Sequence, residues 1–348
     1  MELIKGMRQV PHVEFMVLSM GEEDFYLSQL QELGVSVHFL IRSLRWDILF
    51  FARLLRVLQE YKPDIIHTNS DMATFYALPL AKPLRIKVIN GSIRNAFSGK
   101  GVRWALHKFL LWWSDARVAN SKAGFASRGM SYNAKGNFVI YNGFDIQRFD
   151  KKIGSDGIPG IPWGRSRVVG MVAECSDYKD FGTFVQAARV ISKIRDDVLF
   201  VAIGGGKNYP DLRRMTEAED RHIRFLGERK DVDDLIRSFD VGVLCTFSEG
   251  ISNSVMEYMA AQKPVVVTDA GGSRELVDQG VHGFLVPQSD AKALADKILL
   301  LLDDRRLSEK MGAVGRKKIV DDFSMEQLID RNIEMYNNIR GARSSGLG

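Results

Sequence analysis

Short apolar runs alternate with helical patterns along most of the chain, and this alternation constrains the possible fold more than any other feature. In the first 150 residues, six runs have the length and the Val- and Ile-rich composition of strands: residues 12–19, 34–41, 64–69, 86–92, 116–121 and 137–143. They are apolar almost throughout, as strands are when helices cover both faces of a parallel sheet. Helical patterns lie between them, for example at residues 44–61 and 102–114. The sequence therefore predicts an α/β fold.

A Gly- and Pro-rich stretch, KKIGSDGIPGIPWGR at residues 151–165, interrupts this pattern and is typical of a linker. Six more apolar runs follow, at residues 167–173, 197–206, 222–227, 241–247, 264–269 and 283–287. Helical patterns separate them at residues 179–194, 231–239 and 291–302. A chain of 348 residues also exceeds one ordinary core. We therefore expect two doubly wound, Rossmann-like domains.

The expected division of the chain has four parts. They are an N-terminal domain at 1–150, a linker at 151–166, a C-terminal domain at 167–325, and a helix at 326–348 that packs back on the first domain. Ligands of doubly wound folds bind at the carboxyl ends of the strands, here in the cleft between the domains.

The beginning of the chain departs from this plan. MELIKGM places Leu3, Ile4 and Met7 at helical spacing, and a strand follows directly. A domain of this type normally begins with a strand and a glycine-rich turn. In the usual strand order that strand is central, so its omission would leave unpaired backbone in the middle of the sheet. Our hypothesis is that Met1 is an internal methionine of a longer natural product, and upstream sequence without a strand and a glycine-rich turn would refute it.

Composition and simple motifs argue against a disordered chain, a disulfide-rich protein, a membrane-spanning protein and a zinc protein. The chain is 45% hydrophobic and 26% charged, which is typical of a folded globular protein. Its net charge of +5 suits a protein that handles phosphates or lies near an anionic membrane, but also many ordinary enzymes. Cys175 and Cys245 have no CxxC spacing, so we expect a reducing cytoplasm. The sequence has no run of 18 apolar residues, no signal peptide and no HxxxH pair.

Polar residues cluster where the strand at 241–247 gives way to a helix, in FSEGISNSVMEYM (247–259). The N–H groups of a helix start attract anionic or hydroxyl-rich ligands. Gly250 permits close approach of the backbone, Glu249 can accept hydrogen bonds from ligand hydroxyls, and Glu257 can bind a ribose diol. The alternative is that Ser252 or Asn253 simply caps the helix and Glu257 is a solvated helical residue.

Four segments together resemble the retaining glycosyltransferases of family 4 (GT4), which have the GT-B fold. They are SEGISNSVMEYMAAQKPVVVTDAGGSREL, GVHGFLV, VIYNGFDIQRF and KPDIIHTN. The resemblance covers nearly the whole chain and is weakest in the first 60 residues. It implies transfer of a sugar from a nucleotide-diphosphate donor to a hydroxyl acceptor, in bacterial surface polysaccharide or glycolipid biosynthesis.

The resemblance also implies roles for the polar cluster. Glu249 would contact the hydroxyls of the donor sugar, and Glu257 would bind the ribose of the nucleotide. The backbone of the segment between them would hold the sugar and the diphosphate; its residues are Gly250, Ile251, Ser252, Asn253 and Ser254.

One basic position of the family is altered. Family members usually have an arginine, and five residues later a lysine, in the first βα loop of the second domain. Lys179 matches the lysine, which would contact the diphosphate, but Glu174 stands at the arginine position and would repel phosphate. Glu174 could turn away, Arg229 or Lys207 could compensate, or donor affinity could be low. Lys179 could also be a solvated residue at a helix start.

Two further loops resemble parts of the family's donor site. AIGGGKN (202–208), which contains Gly205, resembles the turn on the nucleotide side, although it could be only a tight turn. FLGERKDVDDL (225–235), which contains Arg229, resembles the loop that reads the base.

The first domain would carry the acceptor. Many family members have a histidine near the reacting centre after the fifth strand, whereas this chain has Arg94 and Asn95 in INGSIRNAF. We expect Arg94 to stabilise the leaving phosphate, since an arginine cannot serve as a general base at neutral pH. His67 is expected to be structural.

Two stretches, at residues 42–61 and 102–117, combine basic residues with Trp, Phe and Leu. An interfacial membrane helix has this composition, and so does a helix that packs on a core. The expected partners are a nucleotide-sugar donor and a glycan or lipid-linked acceptor, without nucleic acid, and peripheral contact with the inner membrane stays open. The expected location is the cytoplasm or the cytoplasmic face of the membrane.

No cofactor or metal is expected, since no Asp-x-Asp stands at a strand end. Two other functions stay open at this point. A non-catalytic nucleotide-sugar binder would account for Glu174, for the absent histidine and for the unusual start. A GT-B-type sugar-nucleotide epimerase would require catalytic carboxylates and a histidine in the cleft.

Overall fold

The computed structural model describes residues 2–8, 10–11, 13–21, 26–44, 46–150, 167–217 and 220–341, so the expected linker at 151–166 lies outside the described residues. The chain divides into two compact units. Unit 1 combines Met1–Arg94, Ser98–Gly143 and Met325–Gly348, and unit 2 combines Asn95–Phe97 with Phe144–Ser324. The second part of unit 1 thus ends at Gly143, earlier than the expected boundary at 150.

Unit 1 contains six strands and the first six helices of the described chain. The strands are β1 (Met16–Ser19), β2 (Ser36–Phe39), β3 (Ile65–Thr68), β4 (Lys87–Ile93), β5 (Ala116–Ala119) and β6 (Asn137–Val139). The helices are α1 (Glu2–Met7), α2 (Leu27–Glu32), α3 (Ile48–Tyr61), α4 (Asp71–Ala81), α5 (Val102–Trp113) and α6 (Lys122–Ala126).

Unit 2 contains the other six strands, and a 3₁₀ helix (Ile146–Phe149) lies at its start. The strands are β7 (Arg167–Val172), β8 (Val198–Ile203), β9 (Ile223–Phe225), β10 (Val241–Leu244), β11 (Val265–Thr268) and β12 (Gly283–Val286). The helices are α7 (Phe181–Ser192), α8 (Tyr209–Glu217), α9 (Val232–Arg237), α10 (Asn253–Ala260), α11 (Ser273–Leu276), α12 (Ala291–Asp303) and α13 (Arg305–Asp322), and α14 (Met325–Gly341) belongs to unit 1.

The strands of unit 1 form two separate parallel sheets. β1 pairs with β2, and β3 to β6 form a four-stranded sheet in chain order. Within the described residues, the edge strands of these sheets are β1 and β2 in the first and β3 and β6 in the second.

Unit 2 is a single parallel sheet with the order β12-β11-β10-β7-β8-β9. The chain starts in the middle of this sheet, moves to one edge and then returns to build the other half. All twelve predicted strands are present, and most are shorter than predicted. The run at 197–206, for example, ends as a strand at Ile203 because Gly204 and Gly206 adopt positive φ angles of 140° and 130°.

Helix starts differ from the sequence prediction for a local reason. The helix predicted at 44–61 begins at Ile48, since the side chain of Asp47 accepts a hydrogen bond from the backbone N–H of Phe50 at 3.1 Å. The helix predicted at 179–194 likewise begins at Phe181, where Asp180 accepts from Thr183 at 3.0 Å. Both aspartates lie inside the predicted ranges, and their capping role shortens the helices.

One of the core clusters of unit 1 lies between its four-stranded sheet and helices α3 and α4. Phe50, Leu54 and Leu58 line the inner face of α3 and pack with Tyr76 and other apolar side chains of α4 and β4. The ring of Phe50 is fully buried, 4.6 Å from that of Tyr76 between centroids. Ile48, on the same helix, is exposed.

Replacement of Phe50 by alanine is expected to lower the free energy of unfolding by about 3–5 kcal/mol, since it leaves a cavity between α3 and α4. The matched change Ile48→Ala is expected to alter it by no more than about 0.5 kcal/mol. Denaturant unfolding of both variants measures the difference, and equal losses would contradict this packing.

Candidate donor site

The start of α10 is formed by its own side chains. The hydroxyl of Ser252 accepts a hydrogen bond from the backbone N–H of Val255 at 3.4 Å and lies 3.0 Å from the hydroxyl of Ser254. Ser252 is therefore the N-cap of the helix, as one alternative held. Asn253 is exposed and Ile251 is buried.

The backbone just before this helix packs against two glycines that follow β11. The N–H of Gly272 donates to the carbonyl oxygen of Glu249 at 3.0 Å. Gly271 has a φ of 53°, and a Cβ atom there would lie 2.0 Å from the same oxygen. Only glycine permits this approach, which holds the backbone of Glu249 and the buried Gly250 in place. Sequence reasoning missed Gly271, although a Gly-Gly pair after a strand was a visible signal.

Lys179 and Glu249 form an ion pair through Nζ and Oε2. The two side chains are 17% and 18% exposed, so water screens the pair only in part. The loop of Lys179 is fastened to the end of β10, where Asp180 N–H donates to Cys245 O at 3.0 Å and Thr246 Oγ1 donates to Tyr178 O at 2.9 Å. The structure thus brings together two residues that the sequence analysis placed in the donor site.

Glu257 has an ionic partner that sequence reasoning missed. Arg148 Nη2 lies 3.2 Å from Glu257 Oε1 and 2.5 Å from Asp233 Oδ1. Burial raises the pKa of Glu257, and the positive charge of Arg148 opposes that rise. The guanidinium also lies over the rings of Phe144 and Phe149. A possible signal was the arginine of VIYNGFDIQRF, a segment that carried the resemblance without an assigned role for Arg148.

The glycine turn after β8 packs against the loop that carries Glu174. The N–H of Cys175 donates to Gly205 O at 2.7 Å. A Cβ atom on Gly204 would lie 2.0 Å from Ala173 O, and one on Gly206 would lie 2.8 Å from Cys175 O. The glycines therefore allow the contact between these two loops, so the turn is more than a tight connection.

Glu174 is exposed, so water and salt weaken the repulsion that its charge would exert on a phosphate. The two bases proposed to compensate for it already have carboxylate partners. Arg229 makes two hydrogen bonds to Asp231, at 2.8 and 2.6 Å, and Lys207 Nζ lies 2.5 Å from Asp177 Oδ2. Either base would have to leave its carboxylate, at least in part, to contact a diphosphate.

The remaining candidates lie in unit 1. Arg94 is exposed directly after β4, and its carbonyl oxygen accepts a hydrogen bond from Asn120 Nδ2 at 3.3 Å. His67 Nδ1 lies 2.8 Å from the hydroxyl of Tyr336 on α14. Burial, assisted by the charge of Arg94, lowers the pKa of His67 to about 4, so this imidazole is neutral at neutral pH. A neutral imidazole bonded to Tyr336 fits the structural role expected for His67.

Both units have parallel sheets covered by helices, and polar residues that can bind a sugar lie at one edge of a sheet. This combination is typical of enzymes that use nucleotide sugars. Two family models match the chain: Glycosyltransferase Family 4 over residues 1–148 and Glycosyl transferases group 1 over residues 166–304. The chain therefore belongs to the group 1, family 4 glycosyltransferases.

Full-length relatives agree with this assignment. The chain is 25% identical to N,N'-diacetylbacillosaminyl-diphospho-undecaprenol alpha-1,3-N-acetylgalactosaminyltransferase of Campylobacter jejuni, over 97% of the chain and 94% of the relative. It is 23% identical to UDP-Gal:alpha-D-GlcNAc-diphosphoundecaprenol alpha-1,3-galactosyltransferase of Escherichia coli, with the same coverage.

A solved structure extends the comparison to the fold. Alr3699/HepE of Anabaena, in complex with UDP, has a TM-score of 0.81 at 19% identity and matches 97% of this chain and 94% of its own. The predicted GT-B fold and the glycosyltransferase class are confirmed. The epimerase and non-catalytic alternatives gain no support from these relatives.

Replacement of Gly271 by alanine is expected to lower the affinity for the nucleotide-sugar donor by about tenfold or more, since the added Cβ atom displaces the backbone of Glu249. Gly280→Ala is a matched control, because Gly280 also has a positive φ, of 74°, but no atom within 4 Å of the added Cβ. Both variants incur the cost of the left-handed conformation. Calorimetric titration measures the affinities, and an equal effect of the two changes would contradict the role of Gly271.

Proposed function

We propose that this glycosyltransferase moves a sugar, with retention, from a nucleotide-diphosphate donor to a hydroxyl group of a lipid-linked glycan in bacterial polysaccharide or glycolipid biosynthesis. The observation that carries the proposal is the Lys179–Glu249 pair beside the start of α10. The names of the two relatives support a lipid-linked acceptor, since both include a sugar joined to diphosphoundecaprenol.

The donor site would work by exchange of ionic partners. The diphosphate attracts Lys179 and the N–H groups at the start of α10. Glu249 then loses its cation and accepts hydrogen bonds from the hydroxyls of the donor sugar. Glu257 would bind the ribose diol while it remains close to Arg148. Because lysine and the helix start supply positive charge at the diphosphate, we propose that transfer needs no metal ion.

Unit 1 would bind the acceptor and contribute Arg94. This guanidinium is exposed at the carboxyl end of β4, the edge where doubly wound sheets bind ligands. We propose that it stabilises negative charge on the leaving nucleotide diphosphate. A retaining transfer needs no separate carboxylate nucleophile in this proposal.

Peripheral contact with an anionic membrane is part of the proposal, and α5 supports it. One face of this helix packs inward through His107, Leu110 and Leu111. On the opposite side Val102 and Trp112 are 87% and 72% exposed, although both are apolar. The sequence of α5 includes Arg and Lys but no Asp or Glu. This combination fits anionic headgroups.

The segment that leads into α3 has the same character, with four exposed apolar side chains in it and in the first turn of the helix: Leu44, Trp46, Ile48 and Leu49. Among the described residues, no helix is long and apolar enough to cross a bilayer. We therefore propose contact with the membrane surface, at the cytoplasmic face. The two buried free cysteines, Cys175 and Cys245, fit a reducing compartment.

Transfer is tested with UDP-sugars and two acceptors, alpha-D-GlcNAc-diphosphoundecaprenol and N,N'-diacetylbacillosaminyl-diphosphoundecaprenol, by product analysis and UDP release. Glu249→Gln is expected to lower kcat/KM by about 10²–10³, since the amide cannot replace the carboxylate at the donor sugar. Glu309→Gln removes an exposed carboxylate that pairs with Arg305 and is expected to leave the rate unchanged. If the wild type transfers no sugar either with or without EDTA, the proposed function is contradicted. If it transfers sugar without EDTA but not with it, only the proposed independence of metal is contradicted.

Trp112→Glu is expected to reduce binding to phosphatidylglycerol-containing vesicles by about tenfold or more, because it places a charge in the apolar patch of α5. Ile194→Glu changes an equally exposed apolar residue of unit 2 and is expected to have no effect. Vesicle sedimentation measures binding, which should weaken at high salt and with neutral phosphatidylcholine. Equal binding of both variants would contradict the proposed contact.

A further inference from the structure

Three side chains of unit 1 form a hydrogen-bonded series that the donor site does not use. His107 Nδ1 lies 2.7 Å from Asp71 Oδ1, and Arg128 Nε lies 2.9 Å from His107 Nε2. A guanidinium can only donate, so Nε2 accepts its hydrogen bond and Nδ1 carries the proton that His107 donates to Asp71. The series therefore presents a carboxylate held by a neutral imidazole of fixed tautomer.

The inner end of the series is tightly held. His107 and Arg128 are buried. Arg128 Nη1 donates to Gly124 O at 3.0 Å and to Ser127 Oγ at 2.9 Å. The ring of Trp104 stacks on His107 with centroids 5.0 Å apart, and the guanidinium of Arg128 lies over the same ring. Burial of a guanidinium costs free energy of folding, so the fold keeps this arrangement at the expense of some of its stability.

Asp71 is not needed as a helix cap. Ser70 caps α4, with its hydroxyl accepting from Ala73 N–H at 3.2 Å. The Asp71 side chain is 42% exposed, so the carboxylate keeps lone pairs open to solvent. Burial acts to raise the pKa of Asp71, but several opposing effects, of which the hydrogen bond from His107 is the largest, leave that pKa below its usual value. The group is ionised at neutral pH.

The position of Asp71 is that of a ligand-binding residue. It follows β3 at the carboxyl edge of the four-stranded sheet, where doubly wound folds bind their ligands. Asn90, which pairs in register with Thr68 of β3, is fully buried, and its amide nitrogen has no hydrogen-bond partner within the described residues. The same holds for Asn120 Oδ1, just after β5. This edge therefore carries buried polar atoms that have no hydrogen-bond partner among the described residues.

We propose that Asp71 accepts a hydrogen bond from a hydroxyl group of the acceptor glycan and so selects and orients the acceptor. His107 and Arg128 are positioning residues that act through Asp71. This inference rests on the proposed function, in which unit 1 binds the acceptor. An acceptor analogue without that hydroxyl loses the charge-assisted hydrogen bond to Asp71 and is expected to bind less tightly.

Asp71→Asn tests the inference in the full chain. The asparagine oxygen can still accept from His107, so the fold is kept while the charge at the acceptor is lost. The KM for the acceptor that the wild type uses is expected to rise about tenfold or more, since hydrogen bonds to charged groups are worth about 1.5–3 kcal/mol. The donor KM and the slow hydrolysis of the UDP-sugar are expected to stay unchanged. Glu60→Gln removes an exposed carboxylate from α3 of the same unit and should leave all values unchanged.

Two variants of His107 distinguish a positioning role from a merely structural role. His107→Asn keeps an N–H group near the place of Nδ1, whereas His107→Leu removes it. The asparagine variant is expected to keep an acceptor KM closer to that of the wild type than the leucine variant, at equal thermal stability. Equal KM values in the two variants would overturn the positioning role.

The possible failures are distinct. If the wild type transfers no sugar to either lipid-linked acceptor, the proposed function falls, and the role of Asp71 falls with it. If the wild type transfers but Asp71→Asn keeps the wild-type acceptor KM, only the role of Asp71 is overturned. A rise in the donor KM alone would also overturn it, since it would assign Asp71 to the donor.

Discussion

Parallel pairing of the strands within each unit is the constraint on which the rest of the structure depends. It places all carboxyl ends of one sheet at the same edge, so residues far apart in the chain meet there. In unit 2, Lys179 follows β7, Gly205 follows β8, Glu249 follows β10 and Gly271 follows β11. The candidate donor site is thus a consequence of topology, and its residue types add the proposed chemistry.

Close backbone packing at that edge depends on glycine. Three glycines there have positive φ: Gly204, Gly206 and Gly271. Each lies so close to a carbonyl oxygen of a neighbouring loop that a Cβ atom would clash with it. These contacts hold the loops at separations that larger residues would exclude. The Lys179–Glu249 ion pair is possible at its low exposure because the loops on both sides of it are held in this way.

The strands and the Glu249–Glu257 segment could be predicted from the sequence, since buried runs and a polar helix start are local signals. Ile48 could not be predicted as the start of α3, because the capping role of Asp47 depends on its own backbone geometry. Arg148 was missed because its partners, Asp233 and Glu257, are 85 and 109 residues away. Pairings of this kind depend on tertiary structure, and no periodicity in one sequence shows them.

The carboxylates of the two units differ in how their charge is balanced. Glu249 is neutralised directly by Lys179, a flexible cation, so in the proposed function its hydrogen-bonding capacity depends on whether a diphosphate attracts that lysine. Asp71 is held by a neutral His107, and the balancing charge of Arg128 lies buried behind that ring, out of reach of a substrate. Asp71 therefore stays ionised and open to solvent whether or not a donor is bound. A carboxylate of the first kind suits a ligand that carries its own negative charge, and one of the second kind suits a neutral hydroxyl.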